Sequence, residues 1–346
     1  MRSLKIHHES GELVDLLNKK YAGKELLFCH TLQNTIDFSP DRTTFCSSCT
    51  TSLGAPIIYR EDLSSFSSGV YFKSLERIME LNQTEKAPCK GCAHLKKQFV
   101  PLFKSKNFIS GFTINNFLRC NSKCIYCGLD SQSPDYFYSI LPVIKQMHEE
   151  KILSPNCQFI WGGGEPTIYK EFEDVVNYLR NSEYYQTINS SGLKFSPAIF
   201  NGLSKKVLNL QISVDSGTKD TYAKVKGQDG FERVWENIKR YCEFPEHVRI
   251  KYIIFAPNNS EEEVRAFIDQ CIRSNVKFIE ISLEGHQISG VVGERPWGKV
   301  TERDIEAHIL MKNLAQQNNI NVSISEIWSW DPEIAQKLKG AYQNLG

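Results

Sequence analysis

From about residue 107 the hydrophobic positions alternate between two kinds of pattern. Short runs dense in β-branched and aromatic residues have the length and composition of strands: FISGFTIN (108–115), CQFIW (157–161), YQTINS (185–190), VLNLQISV (207–214), RIKYIIF (249–255) and KFIEISL (277–283). Between and after them come stretches with apolar residues three and four apart, near 135–150, 170–181, 196–204, 230–242, 260–274 and 302–318. In one of these, Val264, Phe267, Ile268, Cys271 and Ile272 form a single apolar helix face. Six strands, each followed by a helix, predict βα units around a parallel sheet. Six units are too few to close an eight-stranded barrel. The expected fold is therefore α/β, a partial, open (β/α)6 TIM-like barrel with ligands at the carboxyl ends of its strands.

The first 105 residues lack this rhythm. They are rich in Ser, Thr and Cys and end in a basic connector, HLKKQFVPLFKSK. The expected organisation is a small irregular cysteine-rich metal domain over 1–105, the barrel over 106–325, and a C-terminal segment over 326–346. That segment is expected to pack a helix near 331–343 on the barrel, beside the aromatic WSW of 328–330. NVSIS (321–325) reads as one more short strand.

Composition narrows the classes. Lys and Arg number 41 against 40 Asp and Glu, and a chain so balanced lacks the basic surplus that binds phosphate backbones. No stretch approaches the roughly 20 apolar residues of a membrane span. The N-terminal MRSLKIHHESGELVD has no apolar signal region, so the expected location is the cytoplasm, where thiols stay reduced. Eleven cysteines in such a compartment point to metal binding or catalysis before disulfides.

Three of them stand in FLRCNSKCIYCGLD, directly after the first predicted strand, with the spacing Cys-x-x-x-Cys-x-x-Cys at 120, 124 and 127. Three thiolates on one tight loop can hold three irons of a 4Fe–4S cubane and leave the fourth without a protein ligand. An open coordination position is what a catalytic metal site keeps. A structural zinc completed from elsewhere is the alternative that spacing alone allows. At the end of the second predicted strand stands FIWGGGEPT (159–167), where glycines read as room for a ligand close to the sheet edge. No Gly-x-Gly-x-x-Gly leads into a helix there, so it is not a dinucleotide fingerprint.

Taken together, the cysteine loop and the GGGEP strand end resemble the radical S-adenosylmethionine (SAM) superfamily over about 107–285. The resemblance implies a 4Fe–4S cluster on Cys120, Cys124 and Cys127, with SAM as the second cofactor. It places Tyr126 beside the adenine, and Gly163, Gly164 and Glu165 at the methionyl amino group. Asn189 and Ser190 of TINSSG, with Ser213 and Asp215 of QISVDSG, fall near the cofactor. Where many relatives carry Arg-Gly, with the arginine on the SAM carboxylate, this sequence has Lys226-Gly227, which keeps the charge and loses the bidentate fork. The implied chemistry is reductive cleavage of SAM, fed by a donor such as flavodoxin or ferredoxin, followed by hydrogen abstraction from a substrate. A lid is expected in GHQISGVVGERPWGK, and Glu284 and His286 are candidate substrate contacts.

Cys29, Cys46, Cys49, Cys89 and Cys92 include two Cys-x-x-Cys pairs, the pattern of a zinc ribbon. The run from Cys29 to Cys46 also resembles a SPASM-type auxiliary-cluster domain, so a second 4Fe–4S cluster and zinc both stand; Cys29, Cys46, Cys89 and Cys92 are the favoured ligands. An auxiliary cluster favours a peptide or protein substrate. A small metabolite or RNA is the enzymatic alternative. A non-catalytic electron carrier or assembly protein and a nucleic-acid-binding zinc protein are the rivals from other classes. Cys157, Cys242 and Cys271 sit among apolar neighbours and read as core.

Overall fold

The structure, a computed structural model, describes residues 2–40, 43–46, 57–59, 66–90, 92, 94–127, 138–284, 300–325 and 332–343. Cys49, His286, the expected lid and the aromatic 328–330 lie outside the described residues. The chain forms two compact units, one from residues 1–119, 132–164 and 169–187, the other from 120–131, 165–168 and 188–346.

In the first unit the strands are β1 (Glu25–Phe28), β2 (Thr35–Phe38), β3 (Thr43–Thr44), β4 (Ile57–Tyr59), β5 (Lys96–Phe99), β6 (Ile109–Ile114) and β7 (Leu153–Trp161). β6 pairs in parallel with both β7 and β2, while β3 runs antiparallel to β2 and β4, and β1 pairs antiparallel with β5. The parallel register sets Ile36 beside Phe112, Phe38 beside Ile114, Phe112 beside Phe159 and Ile114 beside Trp161. Because side chains alternate across a strand, these residues share one face, and their rings stack: Phe38 on Phe112 at 4.8 Å, Phe112 on Phe159 at 4.9 Å.

The first hundred residues are thus more regular than their composition suggests. They contain the helices Arg2–Tyr21 and Ser68–Leu81 and contribute a parallel strand next to β6. Ser67 caps the second helix by accepting from Val70 N, and Tyr71 and Phe72 of that helix pack on Phe108.

β8 (Tyr185–Ser190) begins in the first unit and ends in the second. The second unit continues with β9 (Leu208–Ser213), β10 (Val248–Ile254), β11 (Phe278–Leu283) and β12 (Asn321–Ile324), parallel throughout: β9 to β10, β10 to β11, β11 to β12. Along β9 and β10 every second residue is buried, which puts Leu210, Ile212, Ile250, Tyr252 and Ile254 in the core. Helix Glu261–Arg273 buries Val264, Phe267, Ile268 and Cys271, the face its periodicity predicted. At about 1.5–3 kcal/mol for each large apolar side chain buried, such a face outweighs any intrinsic helix preference.

All six predicted strands form, with ends displaced by four residues at most. Between β9 and helix Phe231–Tyr241 stands a helix that periodicity did not reveal, Lys219–Lys226. Its buried face is Thr221, Tyr222, Val225 and Lys226, too polar to register as an apolar stripe. Among the described residues no helix is long and apolar enough to cross a membrane.

Candidate active site

The cysteine loop lies in the second unit, held by backbone rather than by its own side chains. A helix leaves its last carbonyls without intrahelical partners. Here Val225 O and Lys226 O, at the end of helix Lys219–Lys226, accept from Ile125 N at 3.0 Å and Lys123 N at 2.9 Å. Gly227 follows with φ +65°, and a Cβ at that position would stand 2.6 Å from Lys123 O. Glycine is needed there both for the left-handed turn and for the close approach of the loop. Gln228 Nε2 donates to Ser122 Oγ, and Cys127 N donates to Cys124 O at 3.0 Å.

The three thiols differ in setting. Cys120 and Cys124 are half-buried and Cys127 is exposed. Burial pushes Cys120 up to about 11, opposed by the hydrogen bond from Ser122 N to its Sγ. Burial also raises Cys124, against a lowering by the Lys226 ammonium. Without metal, Cys120 and Cys124 are thiols, so metal binding to them must release their protons.

The glycine run lies close against backbone. In the first unit, a Cβ on Gly163 would stand 2.5 Å from Phe117 O, and one on Gly164 would stand 2.0 Å from Arg119 O. Gly163 has φ +77°, and Gly164 N donates to Phe117 O at 3.1 Å. The space the missing side chains leave is taken by the backbone of 117–119, the segment that leads into Cys120. These glycines seat the segment 117–119.

In the second unit two polar clusters form. Glu165, buried, accepts at Oε1 from Thr167 N (3.2 Å), Thr167 Oγ1 (2.6 Å) and Ser190 Oγ (2.8 Å), and at Oε2 from Ser191 N (2.6 Å). Its carboxylate thus ties the GGGEP turn to the end of β8. The second cluster joins Tyr126, Asp215 and Lys226. Tyr126 Oη donates to Asp215 Oδ2 at 2.6 Å, Lys226 Nζ donates to Tyr126 Oη at 2.9 Å, and Lys226 and Asp215 form a fully buried ion pair. Burial alone would lower Lys226, but the charge of the Asp215 carboxylate and its hydrogen bond outweigh it and hold Lys226 above its ordinary value. Asp215 sits at φ +57° and accepts from Ile253 N at 2.7 Å, while its carbonyl takes Asn258 Nδ2 at 2.9 Å. Asn189 and Ser213 are half-buried at the ends of β8 and β9.

Comparison with known proteins decides the family. The model of the radical SAM superfamily matches residues 114–285, from the end of β6 past the end of β11. The chain belongs to the radical SAM superfamily. Among curated relatives, it is 24% identical over 214 residues to a GTP 3′,8-cyclase of Vibrio parahaemolyticus, covering 56% of this chain and 63% of that protein. It is 28% identical over 177 residues to the molybdenum cofactor biosynthesis protein moc-5 of Caenorhabditis elegans, covering 47% of this chain and 28% of that protein. The chain therefore spans less than two thirds of these relatives. Among solved structures, SuiB of Streptococcus suis bound to its precursor peptide SuiA aligns with a TM-score of 0.51 at 15% identity, over 78% of this chain and 66% of that one. SuiB bound to SAM aligns with a TM-score of 0.50 at 16% identity, over 76% and 58%. These likenesses establish the fold, a partial TIM-like barrel.

As a radical SAM enzyme the protein uses a 4Fe–4S cluster and SAM, and its residues fit them. Among the described residues no three His, Cys, Asp or Glu side chains converge on a single metal ion. A cubane asks for something else, one thiolate for each of three irons, and Cys120, Cys124 and Cys127 supply three thiols from one anchored loop. Of the residues implicated in SAM binding, the structure brings together Tyr126, Asp215 and Lys226 in one cluster and Glu165 and Ser190 in another. A cavity of about 420 Å³ beside the loop is lined by Asn121, Leu193, Lys194, Phe195, Gln228, Arg233 and Asn237.

Residues that sequence reasoning missed support the same turns. Glu263 accepts from Gly217 N (2.7 Å), Thr218 N (3.2 Å) and Thr218 Oγ1, clamping the turn after Asp215. Nothing local in EEEVRAF marks that carboxylate, since its partners are some 45 residues away. Glu284 is buried at the end of β11, with its N donating to Ile254 O. Of the N-terminal cysteines, Cys29 is buried and Cys46, Cys89 and Cys92 are half-buried; no disulfide joins any two of the described cysteines.

Proposed function

We propose that this protein reductively cleaves SAM at a 4Fe–4S cluster on Cys120, Cys124 and Cys127 and abstracts hydrogen from an organic substrate. The observation that carries the reading is the cysteine loop itself, three thiols on a segment docked by its backbone to a helix end. When bound, the cluster and SAM together supply a primary carbon radical strong enough to break most C–H bonds. The chain's part is to hold the loop, present the Tyr126 ring, shield the reaction from water and accept electrons from an external donor such as flavodoxin or ferredoxin.

The substrate class follows less directly. A peptide or protein is the first reading, in line with a fold shared with SuiB, whose structure holds a precursor peptide. The names of the curated relatives favour a second, a nucleoside triphosphate such as GTP. 5′-Deoxyadenosine formation stimulated by GTP supports the second, and formation unmoved by GTP the first.

The N-terminal cysteines Cys29, Cys46, Cys89 and Cys92, with Cys49 as the alternate, would bind an auxiliary 4Fe–4S cluster or zinc. Cys92 N donates to Cys89 O, Cys89 N donates to Asn82 Oδ1, and among the described residues the buried Asn82 Nδ2 has no hydrogen-bond partner, leaving a donor beside Cys89 for a metal-bound sulfur. Iron and acid-labile sulfide remaining in a Cys120→Ala/Cys124→Ala/Cys127→Ala protein support the cluster; zinc alone supports the ribbon.

The main reading is tested by electron paramagnetic resonance of the anaerobically reconstituted, reduced protein. SAM shifts the cluster signal if it binds the cluster. A signal unmoved by saturating SAM overturns the proposal.

A further inference from the structure

Lys226 stands where many radical SAM relatives carry the arginine expected on the SAM carboxylate, and its surroundings do not suit that role. The ammonium is fully buried, ion-paired with Asp215, and donates to Tyr126 Oη at 2.9 Å. Asp215 is itself committed, taking Tyr126 Oη at Oδ2 and Ile253 N at Oδ1. Breaking a buried pair leaves an uncompensated charge, so neither partner turns to a new ligand cheaply.

Lys226 reaches the cysteine loop by two routes. Tyr126 is the residue before Cys127, and its ring meets Phe255 edge-on at 5.7 Å. Lys226 also supplies, through its carbonyl, the acceptor for Lys123 N, and its neighbour Val225 the acceptor for Ile125 N. Gly227 then admits the Lys123 carbonyl where any side chain would collide with it. One residue therefore grips the loop twice, by its carbonyl at Lys123 and by its ammonium at Tyr126.

We propose that Lys226 is a positioning residue of the cysteine loop, fixing Tyr126 through Asp215 and the loop backbone through the end of helix Lys219–Lys226, and not a ligand of the SAM carboxylate. This rests on the proposed function for the meaning of the loop, but its first test does not.

In the metal-free full-length chain, hydrogen exchange is followed by mass spectrometry in the peptide containing 120–127, for wild type, Lys226→Met and Tyr126→Phe. Lys226→Met is expected to speed exchange in this peptide by about tenfold or more, with a smaller change in the same direction for Tyr126→Phe. Tyr126→Phe removes one hydroxyl and leaves the ion pair, so it serves if Lys226→Met fails to fold. Unchanged exchange in both variants overturns the proposal.

The reconstituted protein is then titrated with SAM and with its decarboxylated analogue, S-adenosyl-3-methylthiopropylamine. A positioning role weakens both ligands alike, by about tenfold or more in Lys226→Met, and the loss is non-additive with Tyr126→Phe. A loss confined to SAM, with the analogue bound as by wild type, makes Lys226 the carboxylate ligand and overturns the proposal. A wild-type protein that binds neither ligand sinks the proposed function, while the exchange experiment still decides the role of Lys226 in the loop.

Discussion

Glu165→Gln is nearly isosteric, yet it should unsettle the turn after the glycine run. The carboxylate accepts four hydrogen bonds, three at Oε1 and one, from Ser191 N at 2.6 Å, at Oε2. Glutamine keeps one oxygen. If that oxygen stays with Thr167 and Ser190, the new NH2 faces the Ser191 N–H, donor against donor. The lost charge-assisted bond is worth about 1.5–3 kcal/mol and the stranded donor about 1–3 kcal/mol. Relief from burying a charge offsets part of this, leaving a net cost of about 2–4 kcal/mol. At roughly 2–4 °C per kcal/mol for a domain of this size, the midpoint of thermal unfolding should fall by about 4–16 °C. Ser190→Ala, which removes one donor and leaves the carboxylate charged, should cost about 1 kcal/mol. The assay is circular dichroism melting of the metal-free protein under anaerobic conditions. A Glu165→Gln midpoint equal to wild type, or a Ser190→Ala loss exceeding it, would refute the assignment of Glu165 as the tie between the turn and β8.

Gly164→Ala places a Cβ 2.0 Å from Arg119 O, and because that atom is backbone, the segment entering Cys120 must retreat by about 1.4 Å to reach an ordinary contact. Iron retained after reconstitution and gel filtration should fall well below wild type; full retention would contradict the packing argument. His308 is buried and held down to about 4 from 6.5 by loss of hydration. It is neutral in the folded chain, so its contribution is complete above pH 6.5 and is lost as pH falls toward 4, to a limit of about 3 kcal/mol. Urea midpoints should therefore fall more between neutral and acidic pH in wild type than in His308→Phe, and parallel falls would contradict the assignment. Thr301→Ala removes a cap that donates to Asp304 Oδ2 at 2.7 Å and accepts from Asp304 N at 3.3 Å, and should cost about 1 kcal/mol in denaturant unfolding.

The barrel strands were legible because each is a short apolar run ended by a turn; YQTINS coincides with β8 residue for residue. Helix Lys219–Lys226 was not, because half of its buried face is Thr221 and Lys226. The pairing of TIDF with ISGFTI joins segments more than seventy residues apart, and no local period encodes it. The cysteine loop could be read directly, since its spacing is itself the chemistry. The glycine run could be found but not explained: its partners, 117–119, are known only once the chain is folded. Lys226 was visible as a cation, while its engagement with Asp215, eleven residues earlier across a turn, is a tertiary fact. Sequence thus reveals the groups that do chemistry more readily than those that hold them.

The central claim is that Cys120, Cys124 and Cys127 hold the cluster at which SAM is cleaved. Its most direct test is 5′-deoxyadenosine release from SAM by the anaerobically reconstituted, dithionite-reduced protein, beside a Cys120→Ala/Cys124→Ala/Cys127→Ala control. Release is expected from the wild type, with candidate peptides or GTP present, and none from the triple variant. Equal release by both proteins, or none by a wild type loaded with iron and supplied with both substrate classes, would contradict it.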